Sequence, residues 1–223
     1  MKKNITLITF LLCSLISWAQ IPAGYYNTAT GTGLTLKTNL KKIIDNVSDG
    51  IPSEHLHADQ GYAALWTLYT HTAFRDNYYE NDGSLLDLYS ENPSGADPYT
   101  YSTTTQQCGS YSSEGDCYNR EHLIPQSYFD GYATNPMKND PFFVVPSDGK
   151  VNGDRNNLPF GKVGTATYTS QNGSKRGNGI NSGYALGYSG VVFEPIDDFK
   201  GDVARAFFYF ATRYEDNMDE FYS

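Results

Sequence analysis

Two stretches decide how this chain folds: Cys117-Tyr118-Asn119-Arg120-Glu121-His122-Leu123-Ile124-Pro125 and, about twenty residues on, Phe142-Phe143-Val144-Val145-Pro146-Ser147-Asp148-Gly149-Lys150-Val151-Asn152-Gly153-Asp154-Arg155. The first sets a carboxylate beside an imidazole. Neighbours on an extended strand point to opposite faces, so Glu121 can hold a cation while His122 faces a substrate. Phe142 to Pro146 reads as a second short apolar strand. Ser147 stands where a helix cap is wanted, and Asn152 falls inside the helix that follows. The order is strand, loop, strand, helix. An Asn152 amide oxygen and the Glu121 carboxylate form a hard-oxygen pair, which with several waters suits Mg²⁺ better than zinc. A neutral His122 beside it can deprotonate water for attack on a phosphodiester. Arg155 is placed to clamp a non-bridging phosphate oxygen. Each piece alone also reads as ordinary packing or a turn.

Around this centre the periodicities predict a mixed α+β protein. Apolar residues at 36, 40, 43, 44 and 47 give a helix over Leu34 to Val47. Tyr62 to Phe74 is a second helix candidate, and Asp202 to Glu215 carries a strong apolar stripe through Val203, Ala206, Phe207 and Phe210. Leu85 to Tyr89 and Val191 to Phe193 read as strands. Pro98 to Cys117 is polar and turn-rich. No repeat is evident, and 223 residues suit one domain. His55, His57 and His71 fit no pattern and read as surface or packing residues.

The N-terminus reads as an address. Lys2 and Lys3 precede the apolar run Ile5 to Ile16, and Ser17-Trp18-Ala19 places small residues at a cleavage site. Residues 1–19 are expected to be a secretory signal peptide, too short to span a membrane. Residues 20–223 then form the domain. Cleavage removes Cys13 and leaves Cys108 and Cys117, nine apart. In an exported chain two such thiols are expected to form a disulfide, and no nearby pair of His completes a metal site instead. A mean hydropathy of −0.51 excludes a multi-span membrane protein. The 19 Tyr and 12 Phe argue against general disorder.

Cys117 to His122 with Pro125, Ser127 and Phe129 resembles the first half of the bacterial endonuclease I family signature. Val145 to Gly161, with its Val-Asn-Gly-Asp-Arg core, resembles the second. Asn172 to Lys175, Val192 to Pro195, Phe199 to Arg205 and Ala211 to Tyr214 are similar to its secreted members. The resemblance spans most of residues 34–216. It implies a ββα-metal (His-Me finger) core with surrounding helices and turn-rich loops. It also implies His122 as general base, Glu121 and Asn152 as ligands of one Mg²⁺, and Arg155 as a basic residue near the phosphate. Mn²⁺ or Ca²⁺ could substitute in binding. The implied activity is cleavage of DNA, and of RNA as well, with little sequence preference. The chain departs from the family in two ways. Asp140-Pro141-Phe142-Phe143 stands where members commonly carry Asp-Leu-His followed by His or Asn, and members continue beyond the Ala-Thr-Arg-Tyr helix.

A net charge of −9 at first argues against a polyanionic partner. Residues 120–176, however, carry seven basic and five acidic side chains, and binding follows the local field. Tyr25, Tyr26, Tyr99, Tyr101, Tyr111, Tyr118, Tyr128 and Tyr132 could stack on bases but are better read as packing. The expectation is a secreted or periplasmic monomer without a membrane anchor, acting on DNA, with RNA a second candidate substrate and the preference between them left open. Two rivals stand beside it: an inactive relative that still binds extracellular nucleic acid, and an exported Tyr/Gly-rich carbohydrate-binding module that would need neither metal nor His122.

Overall fold

Strand β1 (Tyr118–His122) pairs antiparallel with strand β2 (Val144–Asp148), with Glu121 opposite Val145 and His122 opposite Val144. These ranges come from a computed structural model that describes residues 21–52, 54, 56–129, 136–180 and 188–217. The expected signal peptide, His55, Tyr132 and residues 218–223 lie outside them. β2 begins two residues later than the expected strand, because Phe142 and Phe143 belong to a turn held by Asp140. Pro146 is tolerated inside β2 because a two-stranded sheet has an outer edge that needs no N–H.

Helix α3 (Gly149–Arg155) follows β2 without a loop. Its cap is Asp148, whose Oδ1 accepts the Val151 N–H at 2.7 Å. Ser147, the expected cap, is still in the strand, and its hydroxyl donates to the Asp148 carbonyl. Asp148 Oδ2 also accepts from the Tyr101 hydroxyl at 2.5 Å and the Gly115 N–H at 2.9 Å, so one side chain fixes three segments. Gly149 and Gly153 admit the Tyr111 ring against α3: a Cβ at either would meet it at 2.6 and 2.3 Å.

The other elements hold this unit in place. Helix α1 (Gly33–Ile44) packs on helix α4 (Asp197–Arg213), where Thr38 donates to Glu215 and Lys37 lies 3.3 Å from the same carboxylate. α4 starts five residues earlier than the stripe predicts. Asp197 and Asp198 in its first turn favour the positive helix end. Helix α2 (Ala64–Leu68) covers only part of the expected 62–74 helix. Thr70 turns its hydroxyl onto the Thr67 carbonyl, and a 3₁₀ turn over Thr72–Phe74 follows. Leu85 to Tyr89 is not a strand. Leu85 alone bridges to Arg75, and Asp87 then reverses the chain by accepting the Tyr89 N–H at 2.8 Å. Strands β3 (Val163–Thr169), β4 (Lys175–Gly179) and β5 (Val191–Glu194) make a second, antiparallel sheet. The expected Cys108–Cys117 disulfide is present and closes the turn-rich loop before β1.

The main core gathers Tyr69, Tyr118, Phe129, Phe143, Val144 and Phe210 between the hairpin and α4. Phe143 meets Phe210 edge-on at 5.0 Å. Just before β2, Asp140 Oδ2 accepts from the hydroxyls of Tyr209 at 2.9 Å and Tyr214 at 2.6 Å, and Arg213 stands 3.3 Å away. Phe142 is 65% exposed and lays its ring on Tyr209. Both phenylalanines of the departing motif therefore serve the α4 contact. No helix among the described residues is long and apolar enough to cross a membrane.

Candidate active site

Asn119 and Glu121 share one face of β1, and α3 lies across it. Asn152 donates its amide N–H to Asn119 Oδ1 at 2.6 Å. One turn on, the Arg155 guanidinium stands 3.2 Å from Glu121 Oε1. The Tyr89 hydroxyl donates to that same oxygen at 2.8 Å. Glu121 is 2% exposed, and burial pushes its carboxyl above the ordinary range, against the opposing pull of Arg155 and Tyr89. Glu121 and Asn152 thus border one seam, Asn152 through its bond to Asn119 and Glu121 through Arg155, the next turn of α3. They offer a carboxylate and an amide oxygen, a hard-oxygen donor set that suits Mg²⁺ with water completing its shell. Asn152 uses its N–H on Asn119, which leaves its oxygen as the acceptor for such an ion.

Arg155 is not where a phosphate clamp is expected. It is 1% exposed, and its two terminal nitrogens donate to the carbonyls of His122 at 2.7 Å and Leu123 at 2.6 Å. Its guanidinium also lies 4.6 Å from the Phe160 ring centre. A buried fork bound to two carbonyls and a carboxylate ties α3 to the end of β1, while the residue also borders a cavity between Tyr128 and Phe207.

His122 points the other way from Glu121. Its Nε2 lies 3.1 Å from the Lys138 carbonyl and its Nδ1 lies 3.2 Å from the Gln126 amide nitrogen. A carbonyl can only accept, so Nε2 carries the proton and Nδ1 holds the lone pair. The ring is 7% exposed. Burial lowers its pKa to about 4 against the Lys138 bond, and the charges of Arg120, Lys138 and Arg155 press the same way. The imidazole is therefore neutral at physiological pH and fixed in one tautomer.

Sequence reasoning missed Tyr89, Gln126 and the Lys138 carbonyl. Tyr89 lies 32 residues from Glu121, and no local pattern marks it. The basic surplus of 120–176 is also smaller than it reads. Lys150 and Arg176 both pair with Asp154, Arg155 pairs with Glu121, and Arg120 lies between the rings of Tyr62 and Trp66. Tyr101 and Tyr118 are core residues, as the packing reading expected, while Tyr128 remains at the surface with its hydroxyl on the Asn157 carbonyl. His57 and His71 are exposed.

The family model described as Endonuclease I matches residues 32–223. The chain is 30% identical over 197 residues to an extracellular ribonuclease of Bacillus subtilis (strain 168), covering 86% of this chain and 54% of that protein. It is 31% identical over 193 residues to an extracellular ribonuclease of Bacillus amyloliquefaciens, covering 86% and 53%. The chain thus spans about half the length of the curated relatives it matches. No solved structure matches it significantly.

Proposed function

The chain belongs to the endonuclease I family, and from that premise we propose that it is a secreted, Mg²⁺-dependent endonuclease that hydrolyses phosphodiester bonds of RNA and DNA without base readout. The observation that carries this reading is the division of labour on β1. Glu121 faces the α3 seam with Asn152, while His122 faces away, neutral and fixed by a carbonyl. In this reading the hairpin and α3 are the ββα-metal core. The extracellular relatives support export and put RNA first among substrates to test.

In the proposed mechanism His122 Nδ1 takes the proton of the attacking water, after the Gln126 amide gives up its contact. The Lys138 carbonyl accepts the Nε2–H throughout and steadies the imidazolium that forms. Glu121 and Asn152 would hold Mg²⁺, which when bound supplies charge neutralisation at the phosphate and at the leaving oxygen. Arg155 acts by orienting Glu121 and the end of β1. It borders a cavity of 450 Å³, lined also by Tyr128, Phe160, Lys162 and Phe207, which offers the Lys162 cation for phosphate and rings for bases.

The test is cleavage of RNA and plasmid DNA by the mature chain in MgCl₂ and in EDTA, with His122→Ala alongside. Cleavage is expected only with Mg²⁺, and His122→Ala should lose about 10²–10⁴-fold in rate while keeping its circular dichroism spectrum. Wild-type rates in that variant would remove His122 as the base. Binding without cleavage by the folded wild-type chain would favour the inactive relative.

A further inference from the structure

Three carboxylates that the proposed reaction does not use converge away from the β1–α3 seam. Asp76, Glu80 and Glu91 each place an oxygen within 4.8 Å of the others. That span is about twice the ~2.4 Å Ca²⁺–oxygen distance, the width of one coordination shell. Asp76 is preset for an anionic role. Its Oδ1 accepts the N–H groups of Tyr78 at 3.0 Å and Tyr79 at 2.9 Å, and its Oδ2 accepts that of Asn81 at 2.7 Å. Burial works against its charge, but these N–H groups outweigh it and hold the carboxyl below its usual range.

Glu91 is the independent sign of a ligand. It is 1% exposed, and both its carboxylate oxygens are buried without a hydrogen-bond partner. Its ionisable neighbours are themselves acids, Asp97, Asp76 and Glu80, and Glu80 is close enough to share a proton with it when no cation is bound. Arg75, the cation nearest in sequence, gives its guanidinium to the Gly83 and Thr70 carbonyls and the Thr103 hydroxyl. No ion pair among the described residues involves any of the three carboxylates. A buried carboxylate with neither donor nor cation is costly and calls for a counter-charge. An all-oxygen set anchored on the protein favours Ca²⁺ over transition metals, and over Mg²⁺, which prefers to keep its waters.

We propose that Asp76, Glu80 and Glu91 form a structural Ca²⁺ site that joins the loop 76–84 to the turn 87–97. The link would matter for the seam, since Tyr89, two residues before Glu91, holds Glu121, and Asp87 accepts the Asp148 N–H. Without a cation, a proton is the only relief. Burial and the charges of Asp97, Asp76 and Glu80 push Glu91 up to about 8.

The test needs no activity assay and does not depend on the nuclease reading. The full mature chain, freed of metal with EGTA, is melted with and without millimolar CaCl₂. Tb³⁺ luminescence sensitised by Tyr79 is read in parallel. Ca²⁺ should raise Tm by about 5 °C at saturation. It should do so in Glu121→Gln as well, which removes the seam site, and in that background the shift and the luminescence should both vanish on adding Glu91→Gln. Glu80 is exposed, so Glu80→Gln gives a second variant certain to test the site if Glu91→Gln folds poorly, and it should weaken Ca²⁺ at least tenfold. Absence of any shift in the folded wild-type chain would overturn the proposal. So would a shift that survives Glu91→Gln and Glu80→Gln but disappears in Glu121→Gln, which would place the ion at the β1–α3 seam.

Discussion

Arg155 shows how far one side chain can depart from what its position in a motif suggests. Its place after Asn152 marks it as near the chemistry, and the structure uses it to hold the strand that bears His122. Truncation would leave the Glu121 carboxylate buried and uncompensated. Arg155→Ala is therefore expected to lose about 3–5 kcal/mol of stability in urea unfolding, and Arg155→Lys should recover little, because an ammonium cannot serve two carbonyls and a carboxylate in one plane. A fully stable Arg155→Ala chain that had lost activity would return the residue to the phosphate. Glu121, His122 and Asn152 were legible because their relation is set by strand alternation and helix spacing. Tyr89 was not, because it reaches the site through tertiary folding, and Gln126 was not, because it meets His122 four residues on through an irregular turn that no periodicity marks.

At the level of elements, legibility followed burial. α4 and β5 bury a clear apolar stripe or run, and each declared itself in the sequence; α1 did so by its spacing, although Ile43 is its one fully buried residue. β3 and β4 are mostly exposed and rich in Thr, Gly and Asn, so no alternation announced them. Their pairing depends on Gly177. A Cβ there would stand 2.1 Å from the Thr165 carbonyl, next to a register shift in the ladder. Backbone cannot move aside as a side chain can, so Gly177→Ala should cost about 2–3 kcal/mol, measurable as a lowered urea midpoint. The loop closed by Cys108–Cys117 is a second brace on β1. Breaking it with Cys108→Ser/Cys117→Ser should cost about 2–3 kcal/mol by loop entropy. An unchanged denaturation midpoint would show that the Cys108 N–H to Tyr118 carbonyl bond suffices.

Across the whole molecule, buried acids give stability a pH dependence that composition does not disclose. Asp87 is enclosed near Asp148, Tyr99 and Tyr101. Burial raises its pKa to about 7, with the Asp148 charge adding to the rise. A carboxyl raised on folding stabilises below its unfolded pKa, so this contribution fades as pH climbs from about 4 to about 7. His122 acts oppositely, since its depressed pKa withdraws stability as pH falls from about 6.5 to about 4. The two are separable by difference. Asp87→Asn should lower the whole stability curve, by leaving an amide facing the Asp148 N–H, yet shrink the decline between about pH 4 and 7, to which Glu91 and Asp97 also contribute, while His122→Ala retains it in full. The Asp140 junction carries a different consequence, in the order of synthesis. On the ribosome the hairpin is complete about fifty residues before α4 exists. Until Tyr209, Arg213 and Tyr214 emerge, Asp140 has none of those partners and Phe143 no Phe210. The nascent chain must pass through a stage with its central aromatic surface uncovered, open to chaperones and proteases, and the strand that faces His122 is set only when the last helix arrives.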